Sequence, residues 1–314
     1  MIISQETYDK CCPSYKEAVD KLETKIAQIK NSNVNTVTKF EKFCHAISDF
    51  SKSYLTPSEY WNYIMNQYSK DQLVHINNVE AWKNSCRNIA KWALFHLCYN
   101  KEWNAIRYKI RGGVYHYFSA YDDTHLQLLD FQNDFYFQPG KRERVKFLHF
   151  RLRFKKFYLE FGTPEFHKYI VTDDDLLYPH NRLQECMLEY EKESSPSARL
   201  MNQYHKMKAF YHKIISVEHD VEEWFDVLLE TCNFSFILHN VEYRLGKSLC
   251  NIKLWKLYID FLEEQREYRL WLETSLKYCR FFVDDKKMKE KCMARFGGQD
   301  FDKIYSCKGL SKFL

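Results

Sequence analysis

The chain has 314 residues, 45% of them hydrophobic, 17% aromatic and 28% charged, with a formal net charge of +5. Only 8 Gly and 6 Pro occur in that length, where ordinary domains carry roughly 12% of the two together. Such a shortage of turn formers excludes a strand-rich fold with many tight turns and favours long helices, while the mild positive charge permits an RNA or acidic-protein partner without demanding one.

The first predicted helix runs from Pro13 to Ile29, with Pro13 suited to a first turn and Tyr15, Val19, Leu22, Ile26 and Ile29 forming a narrow apolar seam. Such a seam either packs on its own first repeat or faces a partner helix. After a polar break at Asn31 to Thr36, a second helix is predicted to start at Thr38, with Glu41 as its capping-box partner, and to carry Phe40, Phe43, Ile47 and Phe50 on one stripe. Thr56-Pro57-Ser58-Glu59 then places an N-cap threonine, a proline and a glutamate in the order of a helix start, ahead of Trp61 and Ile64. The three-and-four rhythm continues from Val79 to Lys109 and breaks at Gly112-Gly113.

Lys141 to Phe161 is the most polarised stretch. Lys141, Arg142, Arg144, Lys146, Arg151, Arg153, Lys155 and Lys156 are opposed only by Glu143 and Glu160, and Phe147, Phe150, Phe154, Phe157 and Tyr158 lie between them. Cations interleaved with aromatics can neutralise phosphates and stack bases. They can equally meet an acidic protein surface, or form the solvated face of an ordinary helix with an aromatic core side.

Thr172-Asp173-Asp174-Asp175 reads as a helix cap ahead of Leu176 and Leu177 rather than as a metal site. Glu193-Ser194-Ser195-Pro196 is the best boundary of the second half. It separates an N-terminal helical region with degenerate repeats (1–195) from C-terminal repeats (196–314) within one continuous elongated domain. Asp220 with Glu223 caps a helix bearing Trp224, Val227 and Leu228, and a further helix from Phe236 to Leu245 stops at Gly246. From Asn251 to Val283, Leu254, Trp255, Tyr258, Ile259, Phe261 and Leu262 draw one broad stripe, and Leu272, Leu276, Cys279 and Val283 a second. Arg269 and Glu273 stand one turn apart as a helix-stabilising pair.

The series Leu254-Trp255-x-x-Tyr258-x-x-Phe261-x-Glu263, followed by Arg269, Glu273 and Leu276, resembles the half-a-TPR (HAT) repeat of RNA-processing proteins. Thr274 and Ser275 depart from the Arg and Ala usual there. Trp224 precedes Trp255 by 31 residues, a spacing that suits helical-hairpin repeats. The resemblance implies an all-α superhelical array of antiparallel helical hairpins, a HAT/TPR-like α-solenoid. It gives Trp224, Trp255, Tyr258, Phe261, Arg269, Glu273 and Leu276 a repeat-packing role and nominates no catalytic residue. It implies a non-enzymatic scaffold that binds protein subunits of a splicing-type ribonucleoprotein, in the nucleus or alternatively the cytoplasm. Homo- or heterodimerisation through the C-terminal repeats is also implied, and the basic stretch is its candidate RNA or acidic-partner contact. A TPR-like adaptor that captures a short peptide outside RNA metabolism is the alternative.

The sequence offers little for catalysis or cofactors. Gly246-Lys247-Ser248 ends like a phosphate loop, but Val241 stands where the loop needs its first glycine. His205 and His212 could share a helix face, yet no third ligand is evident, so neither a metal nor a cofactor is expected. Eleven cysteines stand singly apart from Cys11-Cys12, with no C-x-x-C pair, and read as buried thiols of a reducing compartment. Neither a secretory signal nor an apolar span is evident, so the protein is expected to be soluble, intracellular and free of membrane.

Overall fold

The computed structural model describes residues 1–61, 63–64, 96, 176–181 and 183–295, and the regular structure among them is helical without a strand. The protein is therefore all-α over these residues. Its described residues fall into two compact units. The first contains α1 (Gln5–Lys10), α2 (Pro13–Asn31) and α3 (Thr36–Ser53), the 245–251 link, the end of α8 (Ile252–Glu264) from Ile259, α9 (Tyr268–Phe281) and α10 (Lys286–Arg295). The second contains α4 (Leu183–Glu193), α5 (Ala198–Ser216), α6 (Val221–Leu229), α7 (Phe234–Lys247) as far as Arg244, and α8 as far as Tyr258.

In the first unit, α2 starts at Pro13, where a missing N–H costs nothing. The next helix starts two residues before the predicted Thr38, because Asn35 is its cap: the Thr38 amide donates to Asn35 Oδ1 at 2.8 Å. With only the Ser32–Asn35 link between them, α2 and α3 pack together as a hairpin. All five seam residues, Tyr15, Val19, Leu22, Ile26 and Ile29, are buried. The seam thus belongs to the unit's own core and is not offered to a partner helix.

Tyr15 is the centre of that core. Its ring lies 4.7 Å from Phe281, 6.0 Å from Phe50 and 6.1 Å from Tyr54, centroid to centroid, and its hydroxyl donates to the Leu55 carbonyl at 2.5 Å. Burial pushes the phenol's pKa well above its ordinary value, so the hydroxyl stays a donor. Tyr15→Phe keeps the ring and strips the Leu55 carbonyl of this donor. It is expected to lower stability by about 1–3 kcal/mol, read from a urea unfolding curve with an unchanged slope.

The same region is tied to the C-terminal helices. The Leu55 amide donates to the Arg280 carbonyl at 3.1 Å, Arg280 Nη1 donates to the Ser51 carbonyl at 3.2 Å, and the Ser14 amide donates to Asp284 Oδ2 at 3.1 Å. Hydrogen bonds from Ser14 hold the Asp284 carboxyl below the usual range. In an array where each repeat touches only its sequence neighbours, such contacts would not form. The first unit instead joins α2 and α3 to α9 and the link that follows it.

In the second unit, Leu176, Leu183, Cys186, Met187, Leu200 and Tyr204 form one core between α4 and α5. Ser197 caps α5 by accepting from the Leu200 amide at 3.2 Å. Asp220 caps α6 by accepting from the amides of Glu222 and Glu223 at 2.8 and 3.1 Å, bonds that hold its carboxyl below the ordinary range. The turn into α7 passes through Cys232 at φ 49°, a left-handed conformation. Asn233 then caps α7 through the Phe236 amide at 2.9 Å.

Four helices share one burial register. The fourth, seventh and eighth residues of α6 are Trp224, Val227 and Leu228, and those of α8 are Trp255, Tyr258 and Ile259. All six are buried. On α7 the fourth, seventh, eighth and twelfth residues are Ile237, Asn240, Val241 and Leu245, and on α9 they are Trp271, Thr274, Ser275 and Cys279. All eight are buried as well. Polar Asn240 and Thr274 thus occupy the same place, and Asn240 satisfies its amide by donating to the Phe236 carbonyl at 2.8 Å.

Candidate functional site

The residues singled out for repeat packing lie on α6, α8 and α9. Trp224 is buried under the Arg244 guanidinium, whose carbon stands 4.5 Å from the ring centroid. Arg244 Nη2 donates to the Glu218 carbonyl at 2.7 Å, which fixes the end of the second unit's part of α7 against the turn before α6. Burial lowers the Arg244 pKa, but a guanidinium remains charged, and the indole face supplies the favourable contact that burial removes from water.

Trp255 and Tyr258 are buried on the second unit's part of α8, and Tyr258 donates its hydroxyl to Glu242 at 3.1 Å. Lys253 pairs with Glu222 at 3.2 Å between α8 and α6. Phe261 and Leu276 are buried in the first unit. Glu273 of α9 pairs with Lys277, one turn on, at 2.7 Å. Arg269 stands on the first turn of α9, and its side chain is outside the described residues. So is the whole basic stretch Lys141, Arg142, Arg144, Lys146, Arg151, Arg153, Lys155 and Lys156.

A polar cluster that gives no signal in the sequence is centred on His96. The Thr56 amide donates to His96 Nδ1 at 2.9 Å, Trp61 Nε1 donates to the Thr56 carbonyl at 3.2 Å, and the Trp61 and His96 rings lie 5.5 Å apart. Thr56 was expected to cap the helix that starts at Ser58. Instead its backbone serves the cluster, and its hydroxyl is buried with no hydrogen-bond partner among the described residues. Burial, reinforced by the charges of Arg280 and Lys277, pushes the His96 pKa well below its ordinary value. The neutral imidazole acts here as an acceptor that holds the α3 exit loop.

Several charges on the described surface of the first unit are paired. A groove of about 330 Å³ between α2 and α3 includes Glu17, Lys21, Lys25 and Asp49. Lys21 pairs with Glu17 at 2.6 Å and Lys25 with Asp49 at 3.7 Å, which leaves no single-signed field to select a charged ligand. On α10, Lys291 pairs with Asp260 at 3.1 Å and with Glu263 at 3.3 Å, and Arg295 also pairs with Glu263. Lys286, Lys287 and Lys289 stay exposed beside them. Among the described residues, no group of three or more His, Cys, Asp or Glu side chains could hold a metal ion, and no helix is long and apolar enough to cross a membrane.

What these features define is an all-α protein of consecutive packed helices with aromatic residues at recurring buried positions. No protein-family model, curated protein or solved structure matches the chain.

Proposed function

We propose that the protein is a non-enzymatic scaffold of helical-hairpin repeats that binds protein subunits of an RNA-processing ribonucleoprotein. The observation that carries this is the register shared by α6 with α8 and by α7 with α9, in which the same ordinal positions are buried in each pair of helices. Repeats of this kind cannot bury their apolar faces alone, and by stacking they leave extended surfaces suited to holding other chains. The Trp255, Tyr258, Phe261, Glu273 and Leu276 pattern is what suggests the HAT class, and within that class the C-terminal half resembles pre-mRNA-processing factor 39. A superhelical arrangement belongs to this proposal. The ties from α2 and α3 to α9 and the link after it mark where the first unit departs from a simple open array.

Within the proposal, the Lys141 to Lys156 stretch supplies the contact with RNA or with an acidic subunit. Reversing Arg144, Arg151 and Lys155 together to Glu is expected to weaken recovery of the assembly by at least about tenfold, since each lost phosphate contact removes a salt-dependent share of affinity. Helix content by circular dichroism should not change. Full assembly by a correctly folded triple variant would remove that stretch from the binding surface.

A further inference from the structure

Within the first unit the fold brings together two cysteines from distant parts of the sequence. Cys11 follows α1, and Cys250 lies in the link between α7 and α8. Cys11 Sγ donates to the Thr7 carbonyl at 3.2 Å, and Cys250 Sγ reaches the same oxygen at 3.6 Å. Two sulfurs that approach one acceptor stand close together, and each thiol shifts the titration of the other. Cys11 is buried whereas Cys250 is partly exposed, so a small oxidant has access to one member of the pair.

We propose that Cys11 and Cys250 are a peroxide-sensitive pair that closes to a reversible disulfide and ties the α1–α2 corner to the 245–251 link. Their surroundings divide the work between them. The neighbouring Cys11 thiol, together with the Lys10 ammonium, lowers the Cys250 pKa, while the Cys11 thiol is pushed up and keeps its proton. Cys250 is thus the attacking thiolate and Cys11 the resolving thiol.

In the first step the Cys250 thiolate attacks one oxygen of hydrogen peroxide. The O–O bond breaks, the leaving hydroxide takes a proton to become water, and Cys250 becomes a sulfenic acid. Cys11 sulfur then attacks the sulfenyl sulfur, the S–O bond breaks, and the departing hydroxide leaves as water with the Cys11 proton. Two thiols lose two electrons in total, and one peroxide becomes two waters. A small thiol of the glutathione type reverses the bond by exchange.

A second pair provides an internal comparison. Cys279 of α9 and Cys292 of α10 likewise shift each other's titration, but both are buried. Cys186 is buried and Cys232 exposed.

The test treats the folded full-length protein with hydrogen peroxide in small excess, quenches it with an alkylating agent and maps the linked peptides. The expected result is a Cys11–Cys250 link at least tenfold more abundant than a Cys279–Cys292 link. It should be accompanied by a faster-migrating monomer on non-reducing electrophoresis that dithiothreitol abolishes. That band should persist in Cys12→Ser and disappear in Cys250→Ser. Sulfenic or sulfinic Cys250 without a link, a link through Cys12, or prior formation of Cys279–Cys292 would each overturn the proposal. The linked-peptide map of the unsubstituted protein decides the matter even if a variant fails to fold.

Discussion

Trp255→Ala is expected to cost about 3–5 kcal/mol of folding stability, as large aromatic truncations in cores do. Trp255 is only 1% exposed, on the first turn of α8, and the void left by an indole is too large for its neighbours to fill by small shifts. A loss of that size is a large part of the roughly 5–15 kcal/mol that stabilises a typical domain. Urea unfolding measures it as a fall in midpoint. Ile252→Ala, on the same helix but 40% exposed, should stay within about 0.5 kcal/mol of the parent. Equal, small losses for both would mean that Trp255 is not a packing residue of this fold.

Acid should act on the first unit through His96. The folded protein holds this imidazole neutral well below the ordinary histidine pKa of 6.5, whereas the unfolded chain takes up its proton near that value. Between the two pKa values the unfolded state binds the extra proton, so stability falls as pH drops through that window and is insensitive to His96 above it. The slope contributed by one such group is about 1.4 kcal/mol per pH unit below 6.5, until the folded-state pKa is reached. In His96→Asn the side-chain carbonyl can accept from the Thr56 amide in place of Nδ1, and nothing titrates. The difference between parent and variant in urea stability, measured from pH 7.5 down to 5, should show this slope. Parallel curves would contradict the buried neutral imidazole.

Local chemistry made much of the helical layout legible. Pro13, Asp220 and the Glu193 to Pro196 break act on amides or dihedral angles a few residues away, so their effects can be read from neighbouring letters. The stripes through Trp224 and Trp255 are similarly local, because a helix repeats its faces every three to four residues. Thr56 shows where this stops. Its Thr-Pro-Ser-Glu context is that of a cap, yet the tertiary partner His96, forty residues away, takes the backbone amide and the hydroxyl caps nothing.

The remaining features depend on groups far apart in the sequence. Nothing near Leu55 announces that it will bond to Arg280, and the spacing of single cysteines cannot show that Cys11 meets Cys250 or that Cys279 meets Cys292. The reading of the thiols as buried groups holds for Cys11, Cys186, Cys279 and Cys292 and needs correction elsewhere: Cys12, Cys44 and Cys250 are half-buried and Cys232 is exposed. The seam of α2 was ambiguous for a related reason, since a two-heptad stripe looks the same whether a partner or the chain's own Phe50 and Phe281 cover it.

The most direct test of the scaffold proposal is a crosslinked recovery of the tagged full-length protein from its own cells, with and without nuclease, identifying both proteins and RNA. The proposal predicts that ribonucleoprotein subunits remain bound after nuclease treatment, held by protein contacts. Absence of RNA-processing proteins from both samples would contradict it and leave the peptide-binding adaptor as the better account.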